Sequence, residues 1–260
     1  ETNQSLADTK VWLDTSAQFG PLVKPIITPR FVPSCTSELM TGLAKLAKEY
    51  DVPVQSHLSE NHGEIDWVAS LHPESSNYTD VYYEHHLMGT VPTVMAHCIH
   101  LSDVEMDRMA ETQTMVSHCP YSNVNLSSGI APIRKLIERN IPIGLGSDIS
   151  GGHIVSMAKV LTEAIGLSKM KWAEVDPNYA PLTLSEAFYM ATKGGGQFFG
   201  HVGSFEKGYE LDALIIDDTS LFDPNERSLE ERLERWLYVG DDRHIIERYV
   251  AGRVVPSPKG

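Results

Sequence analysis

The sequence is poor in cysteine, and only Cys35, Cys98 and Cys119 occur among its 260 residues. Three cysteines without a Cys-x-x-Cys pair do not form the even, regularly spaced set that is typical of a disulfide-stabilised secreted protein. Thiols of this kind fit a reducing compartment. We therefore expect the protein to be cytoplasmic.

Positive charge and long apolar runs are also scarce. Lysine and arginine number 21 against 35 aspartate and glutamate, the net charge is −14, and no run of 18 apolar residues occurs. An acidic surface repels the phosphates of nucleic acids and of anionic membranes, and a membrane-spanning helix needs a longer apolar run. We therefore expect no nucleic acid and no membrane as a partner, and a neutral small molecule as substrate.

Short apolar stretches alternate regularly with helical patterns along the chain. Five strand–helix units follow one another, and we predict their strands at residues 24–28, 52–57, 94–97, 115–118 and 141–146. Such an alternation predicts a parallel sheet with crossover helices. An open doubly wound sheet and part of an eight-unit barrel both satisfy it.

Polar residues at the strand ends favour the barrel. One lies at or just after the end of every predicted strand: Arg30, His57, His97, His118 and Asp148. In a barrel all these ends converge on one face, where active sites lie, whereas an open sheet brings only a few of them together. We therefore predict an α/β fold with a partial TIM-like (β/α) barrel at residues 1–200, followed by a small C-terminal β annex at residues 201–260.

His57 is the first candidate metal ligand. It ends a predicted strand, and Glu60 follows it three residues later. Zinc accepts neutral imidazole nitrogens, and a nearby carboxylate can move protons between water and substrate. The pair alone is weak support, because a strand-end histidine and a glutamate at a helix start are also common structural features.

His97 and Asp148 extend this pattern to two further strands. His97 ends an apolar strand, and Asp148 ends the segment GLGSD, which Gly151 and Gly152 follow. That segment is not a phosphate loop, because it lacks the Lys-Ser/Thr pair of a P-loop and the GxGxxG spacing. Two histidines and one aspartate on one barrel rim, with Glu60 beside the first histidine, predict a metal site.

Four sequence motifs carry a family resemblance. They are PRF at residues 29–31, QSHLSEN at 55–61, SHCPYSN at 117–123 and LYVGDD at 237–242. On these motifs, residues 20–255 resemble the zinc-dependent amidohydrolases, and within them most of all the eukaryotic-type guanine deaminases. PRF and LYVGDD are the more specific motifs.

The resemblance implies hydrolytic deamination of guanine to xanthine and ammonia by a metal-activated water. His57, His97 and Asp148 would then be ligands of zinc, with iron as the alternative metal. Asp148 would also act as base on the attacking water, and Glu60 would carry protons to the ring and to the leaving amine.

The resemblance also implies how the purine base is bound. The Arg30 side chain would donate hydrogen bonds to its polar edge, since a guanidinium suits planar recognition, and Phe31 would pack on the ring. For His118 and Asn123, lining the pocket and holding a loop remain equally open. A homodimer is the implied assembly.

One family feature is absent from the sequence. Amidohydrolases of this type carry an HxH pair of ligands on their first barrel strand, but no HxH occurs here. The strands that can be counted begin at the fourth, so we expect a piece of a longer protein, or a truncated form that borrows strands or is a non-catalytic scaffold. Related activities on methylthioadenosine, adenosylhomocysteine or triazines stay open, but a cytidine-type deaminase needs a second cysteine near Cys119 that is missing.

Overall fold

The computed structural model of the protein describes residues 1–256. In chain order its helices and strands are α1 (Thr2–Ser16), α2 (Ser37–Tyr50), β1 (Val54–Leu58), α3 (His62–Leu71), α4 (Tyr78–Glu84), β2 (Thr93–His97), α5 (Asp103–Glu111), β3 (Met115–His118), α6 (Pro120–Asn125), α7 (Ile133–Glu138), β4 (Ile143–Leu145), α8 (Met157–Glu174), α9 (Leu184–Tyr189), β5 (Ala213–Ile216), α10 (Leu229–Val239), β6 (Ile245–Val250) and β7 (Arg253–Val254). In residues 1–256, every helix is too short or too polar to cross a bilayer.

The chain packs as two compact units. The first comprises Glu1–His118 and Ser127–Ile143, and the second comprises Cys119–Leu126 and the chain from Gly144 onward. The predicted division into residues 1–200 and 201–260 follows a different criterion, namely the change from barrel to annex, and stays a prediction.

The first unit contains β1, β2 and β3, the first three strands of the parallel sheet. β1, β2, β3 and β4 are neighbours in that order. β1 and β2 run parallel with Val54 opposite Thr93, and β2 and β3 run parallel with Val94 opposite Met115. Val54, Met95 and Val116 lie on the same face of the sheet, and all three side chains are fully buried. The predicted α/β alternation is confirmed here.

Helix starts in this unit follow the expected capping chemistry. The side chain of Thr36 accepts the backbone N–H of Leu39 at the start of α2, and Asn61 accepts that of Glu64 at the start of α3. Ser102 and Glu105 form a capping box at the start of α5. Each side chain satisfies a backbone donor that the first helical turn leaves without a partner.

The predicted strand at residues 24–28 is wrong in extent. Only Ile27 pairs with β1, through a single parallel bridge to Val54. Its N–H donates to the carbonyl of Pro53, and its carbonyl accepts the N–H of Gln55. Pro25 and Pro29 flank the bridge, and proline has no N–H with which to extend a ladder.

The second unit contains a separate antiparallel sheet. β5 pairs with β6, and β6 pairs with β7 through a hairpin that turns at Ala251 and Gly252. This sheet is the small antiparallel β structure that the sequence predicts near the C-terminus. In the same unit, α9 passes at Met190–Gly194 into a π-helical segment.

Candidate active site

His57 is held in one orientation by the segment that precedes β1. Its Nδ1 lies 2.6 Å from the backbone carbonyl oxygen of Arg30. A carbonyl oxygen only accepts hydrogen bonds, so this contact requires the proton on Nδ1 and leaves the lone pair on Nε2. Metal-binding histidines are commonly oriented in this way.

His97 lies beside His57 at the end of the neighbouring strand. The two imidazole rings have centroids 5.3 Å apart and planes inclined by 25°. The Nε2 of His97 is 3.6 Å from the Oε2 of Glu60. His97 is 1% exposed, so the structure brings together three of the predicted site residues, His57, Glu60 and His97.

The backbone is strained where the two histidine strands end. Ser59, His97 and Cys98 adopt positive φ angles of 49°, 71° and 51°. Residues with side chains seldom adopt such angles, and they persist where surrounding contacts fix them. Here the N–H of Cys98 donates to the Leu58 carbonyl, and the N–H groups of Ile99 and His100 both donate to that of Ser59.

Glu60 is held from two sides. The hydroxyl of Ser128 donates to its Oε1 over 2.9 Å. Its backbone N–H donates to the Oε2 of Glu64 over 3.0 Å. Neither Ser128 nor Glu64 is predicted as a partner of Glu60 from the sequence. Glu64 lies one helical turn after Glu60, which is a usable signal, but no sequence pattern links Ser128 to a residue 68 positions earlier.

A buried pair of tyrosines supports the His57–Glu60 segment. Tyr78 donates its hydroxyl to Glu64 Oε1 over 2.7 Å, and Tyr82 donates to the backbone carbonyl of His57 over 2.9 Å. Burial raises the pKa of both phenols, and the Glu64 carboxylate adds to the rise. Both hydroxyl groups therefore stay protonated and remain donors.

His118 ends β3 next to the His97 strand. It is 2% exposed, and its Nδ1 makes no hydrogen bond to any residue within 1–256. Burial, together with the neighbouring His97, lowers the pKa of His118 to about 3. This imidazole is therefore neutral at physiological pH and keeps a buried polar atom available.

Arg30 and Phe31 form an aromatic and cationic surface before β1. The Arg30 guanidinium lies 5.5 Å from the centroid of the Phe31 ring. Phe31 in turn contacts Trp67 of α3 edge-on, with centroids 6.2 Å apart and planes at 78°. Arg30 is exposed and Phe31 half-buried, so both can meet a planar ligand. Trp67 was not predicted.

Asp148 belongs to the second unit, where glycines surround it. It has a φ of 43°, and a Cβ at Gly151 would lie 2.5 Å from the Asp148 Oδ2. Glycine at this position lets the backbone approach the Asp148 carboxylate closely, as the glycine-bounded segment predicts. Asn123 is fully buried in α6, while the exposed His153 packs edge-on against Tyr121.

The donor chemistry of the histidine pair fits part of a zinc site. His57 presents Nε2 through its bond to the Arg30 carbonyl, and neutral imidazole is a preferred zinc ligand. Two donors are fewer than the three or four protein ligands of zinc sites. Within residues 1–256, no group of three or more His, Cys, Asp or Glu side chains is arranged to hold a metal ion.

Comparison with known proteins identifies similar chains. A model of the amidohydrolase family matches residues 10–255. Guanine deaminase from Dictyostelium discoideum is 44% identical over 98% of this chain, and guanine deaminase from Mus musculus is 40% identical over 98%. The crystal structure of guanine deaminase from C. acetobutylicum, with guanine bound in its active site, superimposes with a TM-score of 0.95 at 52% identity over 98% of this chain.

These relatives are considerably longer than this chain. It spans 58% of the Dictyostelium protein, 59% of the mouse protein and 61% of the C. acetobutylicum chain. The structural similarity confirms the predicted α/β fold of TIM-like type with a small antiparallel sheet.

Proposed function

The chain belongs to the amidohydrolase family, and we propose that it catalyses the hydrolytic deamination of guanine to xanthine and ammonia. One observation carries this proposal: His57, Glu60 and His97 cluster at the ends of β1 and β2, with Glu60 Oε2 3.6 Å from His97 Nε2. The similarity to guanine deaminases favours guanine among the purines.

A metal ion would be held by His57, His97 and Asp148. The oriented Nε2 of His57 supports the first ligand, and the place of Asp148 soon after β4 supports the third. We propose zinc, with iron as the alternative. When bound, zinc would lower the pKa of a water molecule and so make that water nucleophilic at neutral pH.

The proposed reaction needs two proton transfers that the chain's own carboxylates can perform. Asp148 would accept a proton from the water that attacks the carbon bearing the amino group. Glu60 would deliver a proton to the adjacent ring nitrogen and then to the departing amine, so that guanine and water yield xanthine and ammonia. Glu60 is positioned for this task, because its side chain is only 17% exposed, its carboxylate accepts a hydrogen bond from Ser128, and its backbone N–H donates to Glu64.

Arg30 and Phe31 would bind the purine. Phe31 offers a ring face for stacking, and the exposed Arg30 guanidinium offers donors in one plane. His118 is a further candidate for the pocket, because its buried Nδ1 has no partner within the described chain.

A panel of bases tests the proposal. The purified chain with zinc is given guanine, methylthioadenosine, adenosylhomocysteine and an amino-triazine in turn, and released ammonia is measured. We expect release from guanine at a rate well above that from the others. Preferential release from another compound would reassign the substrate, and none from any, with zinc bound to a folded chain, would favour a scaffold.

The proposal also covers the cellular compartment of the protein and its oligomeric state. We place the protein in the reducing cytoplasm, where the three cysteine thiols would persist. We also propose a homodimer, which analytical ultracentrifugation would test by the mass of the particle in solution.

A further inference from the structure

Glu60 is oriented by a residue that is distant in sequence. The Ser128 hydroxyl donates to Glu60 Oε1 over 2.9 Å, and the other carboxylate oxygen, Oε2, lies 3.6 Å from His97 Nε2. We propose that Ser128 is a positioning residue that fixes which oxygen of Glu60 faces the metal ligands. This inference rests on the proposed role of Glu60 as the proton carrier.

Ser128 is itself firmly held. It is 6% exposed, and its backbone carbonyl accepts a hydrogen bond from His100 Nε2 over 2.8 Å. The next residue, Gly129, has a φ of 128°, and a Cβ there would lie 3.2 Å from Ile99 Cγ2 and 3.3 Å from His100 Cε1. Glycine therefore lets the Ser128 loop pack closely on the side chains of Ile99 and His100.

The backbone of Ile99 and His100 is hydrogen-bonded to the segment that carries Glu60. Both Ile99 and His100 donate their N–H groups to the carbonyl of Ser59, the residue immediately before Glu60. A continuous series of hydrogen bonds therefore links Ser59 to His100, His100 to Ser128, and Ser128 to the carboxylate of Glu60. A loop fixed at both ends in this way can hold a side chain to the tolerance that catalysis needs.

A hydroxyl at this position has a specific consequence for a carboxylate. The two oxygens of a free glutamate are equivalent, and the terminal torsion of the side chain has broad minima. A donor on Oε1 makes the oxygens distinct and limits that torsion, so Oε2 remains directed towards His97. Loss of the hydroxyl would let the carboxylate rotate without removing its charge.

A double-mutant cycle on folding stability tests the contact without metal or substrate. Unfolding in denaturant is measured for Ser128→Ala, Glu60→Ala and the double variant, with Ser127→Ala as the control at the exposed neighbouring serine. We expect Ser128→Ala to lower the folding equilibrium constant about tenfold when Glu60 is present and much less when it is absent, since bonds to charged groups are strong. Additive effects would overturn the proposal.

Steady-state kinetics on guanine test the positioning role. We expect Ser128→Ala to lower kcat at least about tenfold with KM nearly unchanged, and Ser128→Thr, which keeps the hydroxyl, to recover most of it. A rise in KM with kcat unchanged, or equal losses in both variants when both fold, would contradict the role. If the wild-type chain does not act on guanine, the proposed function fails, and the stability cycle alone decides whether Ser128 holds Glu60.

Discussion

The Nδ1 of His57 lies 2.6 Å from the backbone carbonyl oxygen of Arg30. Arg30 thus contributes its side chain to the proposed purine site, and its backbone carbonyl orients His57, the proposed metal ligand. Because the second contact uses only the backbone, the two functions can be separated by changing the side chain alone.

The first prediction concerns Arg30. In Arg30→Met, the guanidinium donors are lost but the carbonyl remains, so we expect KM for guanine to rise about tenfold or more. Zinc affinity should stay at the wild-type value, because His57 keeps its orienting partner. Steady-state kinetics and a zinc titration measure the two effects. A fall in zinc affinity with unchanged KM would contradict the separation.

The second prediction concerns the histidine pair. His57→Gln removes one proposed zinc ligand, so we expect the affinity for zinc to fall at least about tenfold, the range seen even for changes next to metal ligands. His86→Gln is the matched control, because His86 is exposed and outside the cluster. Equal zinc affinity in both variants, measured by competition with a chelating dye, would remove His57 from the metal site.

The third prediction concerns Tyr82. Its hydroxyl donates to the His57 carbonyl over 2.9 Å and lies 2.7 Å from the Ser56 hydroxyl, in a fully buried position. Tyr82→Phe leaves these partners without a bond, and we expect a loss of about 1–3 kcal/mol in the free energy of unfolding. Tyr83→Phe, at an exposed tyrosine, should change it by less than about 0.5 kcal/mol. Denaturant unfolding that shows the same small change in both variants would mean that the bond contributes little.

The sequence was sufficient for the parts of the fold that depend on local patterns. Alternating apolar stretches located β1 to β4, and the Ser102–Glu105 pair marked the start of α5. The sequence does not predict helix α1, because α1 is held by a tertiary contact with α2. A Cβ at Gly42 of α2 would lie only 2.7 Å from the side chain of Leu6 in α1. A contact between residues 36 positions apart leaves no periodic signal.

The same distinction applies to the site. His57, Glu60 and His97 were predicted because strand ends are visible in the sequence, and the structure places them together. Ser128 and Tyr82 act on that cluster from loops and helices elsewhere in the chain. Their roles depend on the distances that the fold creates, so only the structure reveals them.

The fourth prediction concerns pH and the LYVGDD motif. Arg243 donates to Asp241 through Nε at 3.0 Å and through Nη2 at 2.5 Å, and these bonds lower the pKa of Asp241 below its usual 3.8. A carboxylate with a lowered pKa in the folded state contributes stability above its unfolded pKa and loses it as the pH falls through the folded pKa. The stability that ionised Asp241 contributes through its bonds to Arg243 should therefore be lost only in strong acid.

A nuclear magnetic resonance titration of the Asp241 carboxyl checks this. We expect Arg243→Gln to raise the pKa of Asp241 towards the usual value, while Arg253→Gln leaves it unchanged. A pKa of Asp241 that is the same in both variants would show that the guanidinium does not hold the carboxylate in solution.

The central claim is that Glu60 carries protons in the deamination of guanine, and one measurement tests it most directly. The purified 260-residue chain is incubated with zinc and guanine, and conversion to xanthine is followed by ultraviolet absorbance for the wild type and for Glu60→Gln. The account predicts conversion by the wild type and a loss of about 10²–10⁴-fold in kcat in the variant. Equal rates in the two proteins, both folded and with equal zinc, would contradict it.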